Sequence, residues 1–185
     1  MKTSIFQIFT LVTILLCGFT NAATAQKNTL AVKTVQQINA TKAEVMDALK
    51  HYEQFPNWSP FLVTDPEQKY VIGGTNGELG STFAWEGVAE KSQGVQTLAV
   101  INGNDYIRMD CEVVKPFKTN SIFEYTLVEK DGGVEVTQNF SSKMTGFSYF
   151  MARLFGAKKQ IAEINELGLE RLKNYVESNE AQAGL

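Results

Sequence analysis

What most constrains this chain is the order of its parts. A strand-like segment, Leu30 to Ile38, comes first and a short helix follows it. A long run of strand-length segments comes next, and one long apolar-striped helix closes the chain. A helix that arrives only after the whole sheet has been laid down must pack across the sheet's concave face. That arrangement leaves a space between helix and sheet, and such spaces bind small ligands. The order predicts a pocket without naming its occupant.

The local signals fill in this outline. Thr41 followed three residues later by Glu44 is a capping box, and Val45, Ala48, Leu49 and Tyr52 follow at helical spacing. Pro56 and Pro60 are expected to end that helix, with Phe55 and Ser59 extended and Trp58 held in a stiff loop. Turn residues at Gly73-Gly74, Asn76-Gly77, Gly80, Gly94, Asn102-Gly103 and Asp131-Gly132-Gly133 divide the middle into strands near 68–72, 80–89, 94–102, 105–115, 119–130 and 133–143. Two of these turns read as tight hairpins, so the sheet is expected to be antiparallel. From Phe147 to about Glu177 the period becomes helical, through Phe150, Met151, Leu154, Phe155, Ile161, Ile164, Leu167, Leu172, Tyr175 and Val176. Gly156 marks a kink or a break, and residues 179–185 read as a frayed polar tail.

The N-terminus carries an export signature. Lys2 precedes an apolar stretch from Ile5 to Phe19, and Ala23-Thr24-Ala25 offers a small-x-small cleavage pattern. Cleavage between Ala25 and Gln26 predicts a periplasmic or secreted protein, with one domain over 26–178. Lipidation at Cys17 is disfavoured by the bulky Leu16 before it. Cleavage leaves Cys111 alone, so no internal disulfide is expected. The net charge is −3, and no basic block is interleaved with aromatics, which argues against nucleic acid. His51 is the only histidine and falls at the end of the first helix, where it suits the helix dipole; neither metal nor cofactor is expected.

Alternation along the strands assigns the inward faces. Phe83 and Trp85 share one face. Ile107, Met109, Cys111 and Val113 point inward opposite a polar set. Phe123, Tyr125 and Leu127 do the same, as do Val134, Val136, Gln138 and Phe140. The first strand is ambiguous, because Val32 and Ile38 share a face with Thr34 and Gln36. The expected wall is aromatic and aliphatic, with no Asp, Glu, Lys, Arg or His, so no catalytic residue is assigned. Glu86, Glu112 and Glu124 fall on the outer face. The Gly73–Gly80 segment reads as a flexible hairpin or a pocket lid.

Asn39-Ala40-Thr41-Lys42-Ala43-Glu44-Val45, then Phe55-Pro56-Asn57-Trp58-Ser59-Pro60, then Gly77-Glu78-Leu79-Gly80-Ser81-Thr82-Phe83-Ala84-Trp85-Glu86-Gly87, with the long terminal helix, together resemble the START/Bet v 1-like (SRPBCC) superfamily. The nearest branch is the bacterial polyketide cyclase/dehydrase-like one. The resemblance implies an α+β helix-grip fold: about seven antiparallel strands wrapped around a C-terminal helix, with two short helices after the first strand. It implies a small hydrophobic ligand of lipid, sterol or polyketide type. No catalytic residue of the aromatase/cyclases maps onto this sequence.

The expected ligand-binding residues are Trp58, Phe83, Trp85, Met109, Cys111, Phe123, Tyr125, Gln138, Phe140, Phe150, Met151 and Leu154. Trp58 and Phe61 either gate the mouth or seal a joint between helices and sheet. Three readings follow. The first is an exported binding protein. The second is a cyclase, dehydratase or hydrolase using Tyr125 or a carboxylate. The third is a module docking on a membrane, weakly, or on a protein through the Phe150–Phe155 patch. Oligomeric state is left open.

Overall fold

The computed structural model describes residues 28–89 and 91–183, so the expected export segment and its expected cleavage point lie outside the described residues. Seven strands form one antiparallel sheet: β1 (Thr29–Ile38), β2 (Lys69–Gly73), β3 (Thr82–Glu86), β4 (Gln93–Asn102), β5 (Tyr106–Lys115), β6 (Thr119–Lys130) and β7 (Gly133–Lys143). Their spatial order is β1-β7-β6-β5-β4-β3-β2. Among the described residues there are also five helices: α1 (Lys42–Lys50), α2 (Phe55–Trp58), α3 (Phe61–Thr64), α4 (Gly146–Leu154) and α5 (Ala157–Ala183). This is the α+β helix-grip fold that the sequence predicts.

Short turns set the register. Lys130 pairs with Gly133 across Asp131-Gly132, whose φ angles of 51° and 80° give the primed turn that matches strand twist. The expected inner face follows: Phe83, Ile107, Met109, Tyr125, Leu127, Val134, Val136, Gln138 and Phe140 are all buried. The ambiguity of β1 is resolved too, since Leu30, Val32, Thr34 and Ile38 are its buried set.

The first helix is stapled at both ends. The Thr41 amide donates to Glu44 Oε2 at 2.9 Å, and the Glu44 amide returns to Thr41 Oγ1 at 3.3 Å. His51 caps the other end, its Nδ1 lying 3.0 Å from the Asp47 carbonyl and 2.9 Å from Asp47 Oδ1. The next segment corrects the sequence reading. Phe55–Trp58 forms a one-turn helix, not an extended loop, with Pro56 in its first turn, where a missing N–H is not needed and the fixed φ suits a helix. Ser59, before Pro60, is extended as expected.

Of the kink or break expected at Gly156 the structure has the break: at φ 68° it divides the C-terminal helix in two, and α5 then runs to Ala183. Leu169, Leu172 and Val176 of α5 join the core formed by Ile38, Val45, Leu49, Ile107, Leu127 and Val134. Polar ties hold the same half of the helix. Arg171 donates to the Trp58 carbonyl at 3.3 Å and the Asn57 carbonyl at 3.0 Å, Lys173 to the Gln37 carbonyl at 3.1 Å, and the Asn39 amide to Glu177 Oε1 at 2.8 Å.

Opposite Trp85 in the ladder stands Gly94, and the indole lies across it. A methyl group there would meet the Glu112 carbonyl at 2.4 Å and the indole ring at 2.5 Å. Gly94→Ala is therefore expected to destabilise the fold by about 1–3 kcal/mol, as overpacking does, and to shift Trp85. Urea unfolding and near-ultraviolet circular dichroism check it; an unchanged midpoint and Trp signal would refute the close contact.

Candidate functional site: a cavity between sheet and helix

A cavity of about 290 Å³ lies between the sheet and the N-terminal part of α5. Residues two apart on each strand line it: Phe83 and Trp85 of β3, Cys111 and Val113 of β5, and Thr119, Ser121 and Phe123 of β6, with Phe140 of β7. Helix α5 supplies Ile161, Ile164 and Asn165 as the roof, and Phe55 and Phe61 close one side. Gln68, Ser92 and Gln96 complete the wall. Two open grooves of about 440 and 390 Å³ flank α5, one against α1 and one against β1, bordered by polar groups such as Glu44 and Asp47 or Glu166 and Glu170.

The expected site residues divide into three groups. Phe83, Trp85, Cys111, Phe123 and Phe140 stand on the cavity wall. Trp58, Tyr125 and Gln138 border a recess of about 20 Å³ farther in, together with Gln96 and Asn165. Met109, Phe150, Met151 and Leu154 line neither space. Met109 is sealed in the core, its sulfur 3.2 Å from Gln96 Nε2. Phe150, Met151 and Leu154 sit on α4, which the break at Gly156 separates from the α5 stripe. Trp58 is 2% exposed and donates to the Ala48 carbonyl at 3.1 Å, so it seals the joint between α1, α2 and α5, whereas Phe61 stands half-open at the cavity's side. The Gly73–Gly80 segment contributes nothing to the wall and packs against His51 at Gly77.

The polar wall residues Gln68, Ser92, Gln96, Thr119, Ser121 and Asn165 were not expected from the sequence. The signal for Asn165 was a lone amide four residues after Ile161, on the buried side of an otherwise apolar stripe. Gln96 lies opposite Cys111 in the ladder, which places it on the inner face.

The polar groups of the site are few and mostly neutral. Trp85 Nε1 donates to Ser92 Oγ at 3.1 Å, which occupies the indole donor. Gln138 Nε2 donates to the Tyr125 hydroxyl at 3.1 Å. Two buried amide atoms at the recess are left without a partner, Gln138 Oε1 and Asn165 Nδ2. A recess of that size holds about one water-sized group, and such a group needs two to four polar partners. Burial pushes the Cys111 thiol up to about 12. It raises the Tyr125 hydroxyl further still, partly offset by the Gln138 hydrogen bond. Among the described residues no three of His, Cys, Asp and Glu come together in a way that would hold a metal ion.

The sequence model of the polyketide cyclase / dehydrase and lipid transport family matches residues 29–177. The chain belongs to that family. No curated protein matches it closely. Among solved structures, one domain of the di-domain ARO/CYC StfQ from the steffimycin biosynthetic pathway superposes with a TM-score of 0.65 at 10% identity, covering 86% of this chain and 53% of that one. Protein CV1439 from Chromobacterium violaceum gives 0.60 at 12% identity, covering 80% and 97%. Ara h 8.0201 gives 0.59 at 12% identity, covering 81% and 99%. At such identities the likeness is one of fold. The family supports a ligand-binding or cyclase role.

Burial of these acids has a consequence for stability. Burial keeps Cys111, Tyr52 and Tyr125 protonated in the fold well above their ordinary values of 9.0, 10.0 and 10.0. As pH rises past those values the unfolded chain releases protons that the fold retains, so stability falls. The urea midpoint is expected to decline above about pH 9, each group contributing at most ~1.4 kcal/mol per pH unit. Cys111→Ala should move the onset upward. A midpoint as flat above about pH 10 as at neutrality would refute the burial of these groups.

Proposed function

We propose that this chain is a binding protein that encloses one small, mostly apolar molecule, of lipid, sterol or polyketide type, between sheet and helix. The observation that carries this reading is the cavity wall: Phe83, Trp85, Phe123, Phe140, Ile161 and Ile164 surround the space, and none of its lining residues is Asp, Glu, Lys, Arg or His. Covering about 250 Å² of apolar ligand surface is worth roughly 6 kcal/mol before entropic costs, which corresponds to affinities in the micromolar range. The orphaned Gln138 Oε1 and Asn165 Nδ2 favour a ligand with one neutral end that both donates and accepts, such as a hydroxyl. A carboxylate would meet no cation there and is disfavoured.

General acid–base chemistry needs a group whose pKa lies near the working pH. The Cys111 thiol at about 12 is far from that, and the Tyr125 hydroxyl is farther. A second reading draws on the fold shared with StfQ. In it the cavity holds a reactive chain in a productive bend, and the acceleration comes from orientation alone. The N-terminal pattern around Ala25 supports work outside the cytoplasm, and N-terminal sequencing of the mature protein should then begin at Gln26.

Native mass spectrometry of protein from its own exported fraction tests the main reading. A reproducible extra mass, lost on denaturation and apolar in character, is expected. Binding of the neutral fluorophore N-phenylnaphthylamine should vary less than about twofold between about pH 5 and about pH 9, because no wall group changes charge there. A bell-shaped dependence would favour the enzyme. Asn165→Leu is expected to act in opposite directions on two measurements. It removes an unpaired buried donor and should raise stability by about 1–2 kcal/mol, while weakening hydroxyl-ended ligands relative to their hydrocarbon counterparts. Parallel loss of both would remove Asn165 from the site.

A further inference from the structure

We propose that the rim of the cavity mouth is a docking surface for an anionic lipid bilayer. The register fixes where that rim lies. Val113 pairs with Thr119 across the β5–β6 turn, and Ser121 pairs with Ser142 just before β7 leads into α4. The turn and the β7–α4 junction thus leave the sheet at the same end. Val113, Thr119 and Ser121 all line the cavity, so the cavity reaches this end of the sheet, the end we take as its mouth.

Two properties set this rim apart. The first is exposed aromatic and aliphatic surface. Phe117 in the turn is 79% exposed, and Phe147, Phe150, Leu154 and Phe155 on and after α4 are 60–76% exposed. Helix α4 buries none of its residues. The second is charge. Segments 113–120 and 143–160 carry Lys115, Lys118, Lys143, Arg153, Lys158 and Lys159, six of the chain's 17 basic residues, and none of its 20 acidic ones. All six are exposed, and among the described residues only Lys159 is ion-paired, with Glu163. The whole chain is net negative, so this segregation is local.

A short aromatic helix flanked by lysine and arginine is the composition that lies in a headgroup layer, with rings at the acyl boundary and cations on lipid phosphates. Charge decides between occupants. A second copy seated on this face would set these cations against the same set, and the acids nearest them, Glu112 and the Glu163 paired with Lys159, are too few to neutralise them. An anionic bilayer offers a phosphate to each unpaired cation. No helix among the described residues is long and apolar enough to cross a membrane, so the contact is peripheral.

The test reads the rim locally and uses the whole chain. Phe150→Trp places a fluorophore on α4, and Val35→Trp places one on β1, at a position 46% exposed and away from the mouth. Native fluorescence from Trp58 and Trp85 is subtracted using the unsubstituted protein, and circular dichroism confirms the fold of each variant. Vesicles contain brominated phosphatidylcholine with or without phosphatidylglycerol. Quenching of Phe150→Trp but not of Val35→Trp is expected, only with phosphatidylglycerol present, and it should decline at high salt. Adding Lys118→Glu should weaken the vesicle association by about tenfold or more, whereas Lys33→Glu, the same charge change on β1, should not. Equal quenching at both positions, equal quenching without phosphatidylglycerol, indifference to Lys118→Glu, or no quenching would each overturn the proposal. So would a blue shift of Phe150→Trp that grows with protein concentration in the absence of vesicles, which would identify a second copy as the occupant.

Discussion

Everything about the cavity depends on how α5 is held. Its C-terminal half is locked: Leu169, Leu172 and Val176 are buried in the core, each worth about 2–3 kcal/mol, and Arg171, Lys173 and Glu177 tie the same stretch to the backbone of α2 and β1. Its N-terminal half has no comparable anchor. Ile161 and Ile164 are only partly buried, and Asn165 marks the boundary. A helix clamped at one end and standing off the sheet at the other is what keeps a space open in an otherwise close-packed domain. A dry enclosed void of this size would cost several kcal/mol. Cooperative packing at the clamped end offsets that cost, and the opening at the mouth lets water reduce it.

The wall is shaped by a second constraint, on the sheet. Trp85 lies flat because its ladder partner Gly94 has no side chain, and its nitrogen is turned onto Ser92. A large ring is thereby fixed without spending a donor on the cavity. The same economy operates farther in. Gln138 gives its N–H to Tyr125, which leaves only its carbonyl oxygen unpaired beside the recess. The buried amide atoms left without a partner lie at the inner end, while Gln68, Ser92, Thr119 and Ser121 stand among the aromatic side chains of the wall.

Much of this was legible in the sequence because periodicity and turn chemistry are local. Alternation placed Phe83, Trp85, Cys111, Phe123 and Phe140 on the inner face, and they are on the wall. What alternation cannot tell is how deep along a strand the cavity ends, and so Met109, two residues from Cys111, has the parity of the wall but lies in the core. The helical stripe failed for a different reason. Its apolar period continues through Gly156, but a glycine at positive φ redirects the chain, and Phe150, Met151 and Leu154 end up on another surface. Pro56 misled for a third reason: proline's bias on the preceding residue is weaker than the gain from burying Phe55 and Trp58 in one helical turn. Asn165 was visible only as a polar intruder in an apolar stripe, and its meaning required knowing what lay opposite.

The two ends of the cavity are chemically opposite, and this bears on how a ligand would travel. The recess at the inner end presents an amide oxygen and an amide N–H, whereas the mouth presents phenylalanines and cations. On the proposed readings, an amphiphile bound with its neutral polar end in the recess must enter that end first. In a bilayer the polar ends lie at the surface and the tails lie inside. A mouth pressed onto the headgroup layer therefore meets the polar end before the tail, in the order that the cavity accepts them. The exposed aromatics then serve a second purpose, because they shield the emerging tail from water until Phe83, Phe123 and Ile161 enclose it. The asymmetric clamping of α5 fits the same path, since the half of the helix that roofs the cavity is the half with fewer buried anchors.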